Sequence, residues 1–342
     1  MTKVWWLWAV GVGSTVTSCG TGGCFIKNLR KIGRILWNIV RWAEPVRGYP
    51  DKAIEILWNK FGRPAQLRRT VQAIGKVVHH RACRIQKRDP LCNYTRFFRN
   101  FPQLQVLRNL VLDMDHYAGL KLAVLGCSTG GEVYSALWMI RTARPDLKVS
   151  GIGIDISETN IQQAILGIYP LGSREVEGIT EITYPGLFTR QGDTLRVEDW
   201  LRGGVIWQVC DVCSRNLRDG LGLQDFVLAN NLLCHMSDPR AEDCLRNIAK
   251  LLALNGYLFV WGIDLNVRTR IIRGLGFTPV AAKLEEIYAA DQRATEVWPL
   301  KYWGIEPMDK GRSDWKMRYA TIFKAPGDVK LDGMNKSEQG SA

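Results

Sequence analysis

Four short apolar runs each end on residues able to bind or accept. Lys121–Leu125 is followed by Gly126-Cys-Ser-Thr-Gly130-Gly131-Glu132, and Val149–Ile154 by Asp155. Gly204–Trp207 precedes Asp211, and Asp225–Ala229 precedes Asn230 and Asn231. The glycine-rich stretch is neither G-x-G-x-x-G nor a P-loop, so no pyrophosphate site is expected. Glu132 sits where the next helix starts, and a carboxylate there repels a phosphate that would use the same helix end. It suits a ligand with a positive end, such as an ammonium. Asp155, about 20 residues beyond the loop, is placed to take ribose hydroxyls. Asp211 is placed to accept from an adenine amino group. Each residue alone could be a cap or turn. Together they describe a ligand with ammonium, ribose and adenine and no phosphate: S-adenosylmethionine.

The elements that must position these groups follow from periodicity. From Leu120 onward, β-rich runs alternate with helical patterns through Tyr134–Thr142, Asn160–Gly167 and Arg240–Leu252, and Tyr257–Trp261 is a further strand. Strands alternating with helices predict an α/β fold with parallel strands, whose ligands sit at the carboxyl ends near the switch point. Further on, Ile271–Val280 reads as helix and turn, and Trp315–Phe323 as a last strand. The tail, 325–342, lacks an apolar period and is expected to be disordered.

The chain has 342 residues, of which 46% are hydrophobic and 23% charged, which excludes global disorder and a polytopic membrane protein. Residues 1–110 carry 20 Lys and Arg against 4 Asp and Glu, whereas the remainder is nearly neutral. The 1–24 leader is apolar and then rich in Gly, Ser and Thr, too briefly apolar for a comfortable span. Phe25, Leu29, Ile32, Leu36 and Ile39 then form an amphipathic stripe among Lys27, Arg30, Lys31, Arg34 and Arg41. That helix is expected to pack on helices around Ala53–Phe61 and Ala65–Val78, and secondarily to meet an anionic membrane surface or an acidic protein. Basic and aromatic residues do not interleave as base stacking requires, so nucleic acid is not the expected partner. Nine cysteines, an odd number, read as reduced cytoplasmic usage, with peripheral residence at the inner membrane face an option. Cys127, Cys210 and Cys234 fall in or at the ends of runs read as buried strands. The lone Cys210-Asp-Val-Cys213 and His79-His80-Arg-Ala-Cys83 lack a second half, so no metal is expected.

Several segments resemble the chemotaxis-receptor methyltransferase (CheR) family, from about Asn93 to Gly262. Asn93-Tyr-Thr95-Arg-Phe97-Phe98-Arg99, with Phe101 and Leu104, is similar to the family's N-x-T-x-F-F-R segment. Cys127 to Ser135 resembles its cofactor loop, with Gly131 and Val133 departing from the usual Gly-Glu-Glu-Pro-Tyr-Ser. Asp155-Ile-Ser, Ala164 and Gly167-Ile-Tyr169 follow the next motif, and Val205-Ile-Trp207 with Asp211-Val212 the one after. Asn231-Leu-Leu-Cys-His235 resembles Arg-Asn followed by three hydrophobic residues and Tyr, with Asn230 in place of the Arg and His235 in place of the Tyr.

The resemblance implies a class I methyltransferase (Rossmann-like) sheet spanning 119–324 and a basic helical N-terminal subdomain over 25–118. It also implies a small β subdomain inserted at about 171–203, and the chain adds a C-terminal extension at about 264–324. The implied cofactor is S-adenosyl-L-methionine, with Asn93, Thr95, Arg99, Gly126, Gly130, Glu132, Asp155, Asp211, Val212, Asn231 and Leu232 at or near it. The implied activity is methyl transfer to receptor glutamates, a chemotaxis-type signalling role. Arg99 would hold a carboxylate acceptor, which needs no base. His235 would be the base for a hydroxyl or amine acceptor, since imidazole titrates near neutral pH. The competing expectations are an O- or N-methyltransferase of a small molecule, lipid or glycan, and an inactive cofactor-binding regulator.

Overall fold

A computed structural model describes residues 95–114, 119–180, 183–214, 216–290, 306 and 308–327. The leader, the helix expected from Phe25, the helices around Ala53–Phe61 and Ala65–Val78, and Asn93 lie outside the described residues. The chain runs α1 (Phe101–Leu112), β1 (Leu120–Leu125), α2 (Gly131–Ala143), β2 (Val149–Asp155), α3 (Glu158–Leu166) and β3 (Ile168–Pro170). Next come β4 (Phe188–Gln191), β5 (Thr194–Val197), α4 (Asp199–Arg202), β6 (Val205–Val209), α5 (Leu217–Leu221) and β7 (Gln224–Asn230). The chain closes with α6 (Asp238–Ala249), β8 (Leu252–Trp261), α7 (Leu265–Gly274), β9 (Thr278–Pro279), α8 (Leu284–Ala289), α9 (Trp315–Tyr319) and β10 (Ile322–Lys324).

Among the described residues seven strands form one sheet in the order β6-β2-β1-β7-β8-β10-β9. The first five run parallel; β10 is antiparallel to both its neighbours. This is the class I methyltransferase arrangement. Leu122 to Leu125 of β1 and Phe226 to Ala229 of β7 are fully buried, as strands covered on both faces must be. The chain turns from winding one way to winding the other between β1 and β7, which puts the crevice at their carboxyl ends. β3, β4 and β5 form a separate antiparallel sheet. It is pinned to the body by the Phe97 N–H on the Glu175 carbonyl, at 2.9 Å, and by the Tyr169 hydroxyl on the Thr129 carbonyl, at 2.5 Å.

Local chemistry sets the helix starts. The Ser157 hydroxyl caps α3 by accepting the Asn160 N–H at 3.3 Å, and Asp264 caps α7 by accepting from Asn266 and Val267. Helix α2 has no side-chain cap and begins from Gly130 at φ 92°.

Three expectations need correction. Trp315–Phe323 is not one strand: Trp315–Tyr319 is helical and only Ile322–Lys324 pairs. The residues Trp315, Met317 and Tyr319 alternate like a strand, but Arg318 is buried, with its Nε 2.6 Å from the Glu306 carboxylate and Nη1 2.9 Å from Asn266. The anchoring of that guanidinium outweighs the period-two pattern. The tail does not begin at 325, because Ala325 and Pro326 pair with Gly256 and Asn255 and extend the packed body. Of the cysteines read as buried strand residues, Cys127 is buried, whereas Cys210 lies beyond β6 and Cys234 in a single 3-10 turn, both half-buried.

Candidate active site

The loop between β1 and α2 is shaped by alternating left-handed residues: Gly126 at φ 69°, Ser128 at 50° and Gly130 at 92°. Ser128 has a Cβ and is held there by an anchor, its N–H donating to Asp155 Oδ2 at 2.8 Å. The other Asp155 oxygen accepts the Ser157 N–H at 2.9 Å. One carboxylate thus joins the ends of neighbouring strands β1 and β2. At Gly130 a Cβ would come 2.9 Å from Ala164 Cβ and 3.0 Å from the Trp207 ring. At Gly131, where the family carries Glu, a Cβ would come 3.1 Å from Thr95 Cγ2 and 3.2 Å from the Phe97 nitrogen. The departure from Glu therefore lets the Thr95–Phe98 backbone lie directly on the start of α2. Phe98 N–H donates to the Ser135 hydroxyl at 2.9 Å, and that hydroxyl donates to the Gly131 carbonyl at 2.6 Å. Arg99 follows immediately on this clamped segment.

Glu132, on the first turn of α2, keeps some of its surface open while its carboxylate is enclosed by protein. Burial raises its pKa above the ordinary carboxylate range; the Asn230 amide and the Arg99 guanidinium pull it part of the way back. Asn230 Nδ2 donates to Glu132 Oε1 at 2.6 Å and to Gln103 Oε1 at 2.8 Å. Gln103 was not legible as a site residue: it is buried on α1, 127 positions from Asn230 in sequence. Asn231 follows at φ 53°, its N–H on the Trp261 carbonyl at 2.8 Å. Leu232 is next, and a Cβ on Gly126 would stand 3.0 Å from its Cδ1. His235 ends the 3-10 turn Leu233–His235.

After β6, Asp211 Oδ1 accepts the Cys213 N–H at 2.9 Å, and Oδ2 lies 3.4 Å from Arg240. Val212 is buried beside it, its carbonyl facing the Cys244 thiol. The structure therefore gathers Thr95, Arg99, Gly126, Gly130, Glu132 and Asp155 around the β1 and β2 ends. It places Asp211 and Val212 at the β6 end, and Asn231, Leu232 and His235 at the β7 end. Among the described residues no cluster of His, Cys, Asp and Glu suits a metal ion. Burial, then the Asp155 and Glu132 carboxylates, push the Cys127 thiol far above its ordinary range, so it is neutral and not a nucleophile.

This donor set fits S-adenosylmethionine. Enclosing a carboxylate without a full counter-charge is costly, and a cationic ligand group relieves that cost. The crevice offers acceptors at Glu132, Asp155 and Asp211, whereas a phosphate would need donors at the start of α2.

The match to a known family agrees. The family described as "CheR methyltransferase, SAM binding domain" matches residues 93–264, half of the chain. The chemotaxis protein methyltransferase of Listeria monocytogenes serovar 1/2a is 23% identical over 175 residues, covering 50% of this chain and 65% of that protein. Its counterpart in Listeria innocua serovar 6a gives the same figures. Among solved structures, the magnesium protoporphyrin IX methyltransferase of Synechocystis PCC 6803 with bound SAM is 17% identical, with a TM-score of 0.30, over 53% of this chain and 71% of that one. PKMT2 from Rickettsia typhi in complex with AdoHcy is 18% identical, with a TM-score of 0.31, over 57% of this chain and 33% of that one. The chain spans about two thirds of the length of the Listeria relatives it matches; it belongs to the CheR methyltransferase family, and its body carries that family's S-adenosylmethionine-binding domain.

Proposed function

We propose that this enzyme methylates a protein carboxylate, a glutamate side chain, in a chemotaxis-type signalling role. The methyl-transfer part rests most on the Glu132 carboxylate, enclosed at the start of α2 where it would meet the cofactor's ammonium, and the carboxylate acceptor on Arg99, a cation in the field of that site. Thr95, Glu132, Asp155, Asp211, Val212, Asn231 and Leu232 would hold the cofactor, with Gly126 and Gly130 shaping the loop. Once bound, the cofactor supplies an electrophilic methyl on a sulfonium. The protein then has to orient the acceptor in line and exclude water. A carboxylate acceptor arrives ionised and needs a cation to hold it, which is the role assigned to Arg99. Similarity to the Listeria chemotaxis protein methyltransferases supports the chemotaxis-type role, and the basic front supports an anionic membrane surface or an acidic protein as docking partner. Residence would then be cytoplasmic, peripheral at the inner membrane face.

A second reading rests on His235, the residue found where the family carries Tyr. An imidazole at the β7 end can take a proton from a hydroxyl or amine, so a small molecule, lipid or glycan becomes a candidate acceptor. Methyl-labelled S-adenosylmethionine, supplied with host membrane and soluble fractions, separates the two. Volatile label released by mild alkali means a carboxyl methyl ester. Alkali-stable label overturns the carboxylate reading and moves the acceptor to a hydroxyl or amine.

A further inference from the structure

We propose that Gln103 is a positioning residue for cofactor binding: it orients the Asn230 amide, and through it the Glu132 carboxylate. The inference rests on the reading that Glu132 meets the cofactor's ammonium.

Gln103 is 1% exposed, and both ends of its amide are bonded. Oε1 accepts from Asn230 Nδ2 at 2.8 Å, and Nε2 donates to the Thr321 hydroxyl at 3.1 Å. Asn230, 6% exposed, uses its Nδ2 for both Gln103 and Glu132 and leaves its buried Oδ1 without a partner. An ionised carboxylate only accepts, so it demands an N–H from Asn230. The second N–H on that nitrogen then demands an acceptor, which is Gln103 Oε1. The Gln103 amide is thereby turned with its own N–H toward Thr321. The chain Glu132–Asn230–Gln103–Thr321 has one consistent polarity, and the orphaned Oδ1 is its cost.

The arrangement answers the exchange of Arg for Asn at 230. A guanidinium presents donors on every side and cannot be turned the wrong way. An amide has an acceptor side, and rotated by half a turn it would face Glu132 oxygen to oxygen. Something must hold its plane, and Gln103 does so from α1, between the family positions Phe101 and Leu104. Among the described residues the charged group that bears on Glu132 is Arg99; Glu132 in turn raises the Cys127 thiol, which stays neutral.

The test is calorimetric titration of the full chain with S-adenosylhomocysteine, in a series from about pH 5.5 to about pH 8.5, with wild type, Glu132→Gln, Gln103→Met and Thr321→Val. Glu132→Gln should lose most of the affinity. Gln103→Met should bind about tenfold more weakly near neutral pH. Its affinity should also fall off at a higher pH than wild type's, because Glu132 has lost the bond that favours its ionised form. Thr321→Val should move the fall-off the same way by less. Wild-type affinity and profile in Gln103→Met overturn the proposal, as does a loss uniform across pH, which a packing defect would produce. If Gln103→Met melts below the working temperature, the Thr321→Val profile decides, and an unshifted one overturns it. Failure of the wild type to bind, or unaffected binding by Glu132→Gln, would instead overturn the reading of the cofactor site.

Discussion

The Asp155 carboxylate at the end of β2 accepts the Ser128 N–H from the loop after β1, 2.8 Å away, and with its other oxygen the Ser157 N–H that begins α3. A side chain assigned to ribose thus also holds its own loop in shape. Asp155→Ala should abolish detectable S-adenosylhomocysteine binding, a loss of roughly a hundredfold or more. Ser128, left at φ 50° without its anchor, should relax. Each bond to a charged acceptor contributes up to about 1.5–3 kcal/mol net of exchange with water, less at this half-buried carboxylate, so the melting temperature should also fall by several degrees. Asp155→Asn, which keeps one acceptor, should retain more of the stability than of the binding. Calorimetry beside thermal melts checks both, and retained binding in Asp155→Ala would remove Asp155 from the site.

Glu132 gives the apo protein a pH-dependent stability whose sign follows from burial. Its folded pKa lies above the ordinary carboxylate value, chiefly through desolvation. The folded state therefore holds the proton more tightly than the unfolded one. The stability from this group is fully present below the unfolded value and is lost as pH rises through the folded value. Glu132→Gln should remove that slope and make the apo protein melt higher than wild type near neutral pH. Added S-adenosylhomocysteine should raise the wild-type melting temperature and leave the variant's nearly unchanged. Melts with and without ligand, from about pH 5 to about pH 8, read both effects. A variant that melts lower than wild type at every pH would refute the account of a carboxylate held at a stability cost.

Gly153 and Trp207 lie on paired strands, Gly153 opposite Trp207 in the β2–β6 register. A Cβ on Gly153 would stand 2.5 Å from the ring carbons Cε3 and Cζ3, while Cη2 of the same ring lies against Gly130. Gly153→Ala should therefore cost about 1–3 kcal/mol through overpacking. It should also push the ring toward the cofactor loop and weaken ligand binding. Combining it with Trp207→Leu should cost less than the sum of the single changes, because the smaller side chain admits the methyl. Urea unfolding of the four proteins in the cycle gives the coupling, and additive costs would mean the ring does not sit where the glycine makes room.

Legibility followed the range of the interaction. Strands β1, β2 and β7 were readable because a strand covered on both faces is a continuous apolar run, and the residues after them were readable because such sheets bind at those ends. Glu132, Asp155 and Asp211 stood out on that basis. Gln103 did not, since its partners are 127 and 218 positions away and nothing in α1 marks one buried glutamine as special. The short helix α9 departs from the strand expected there because three alternating aromatic and apolar residues mimic a strand, while the buried Arg318 that contradicts the pattern shows only through Glu306 and Asn266. Gly131 and Asn230 registered as departures from a family pattern. Their reasons, a backbone resting on one and a directed amide in the other, required the fold.

His235 is the residue on which the acceptor class turns. It ends the turn after Asn231, at the carboxyl end of β7, next to β1, whose following loop leads into the helix that bears Glu132. If the acceptor is a hydroxyl or amine, the imidazole takes the proton that leaves as the new bond forms, and general-base catalysis contributes about 10²–10⁴-fold. His235→Phe should then slow turnover by about that factor while S-adenosylhomocysteine affinity stays within a few fold of wild type. The rate of the unsubstituted enzyme should rise with pH as the imidazole loses its proton, and that limb should vanish in the variant. If the acceptor is a carboxylate, no proton leaves, and His235→Phe should leave both the rate and its pH profile nearly unchanged. Arg99→Lys should then be the damaging substitution, because an ammonium cannot grip a carboxylate with two parallel donors. Measuring the two variants against the fraction that accepts label assigns the acceptor and the roles of Arg99 and His235 together.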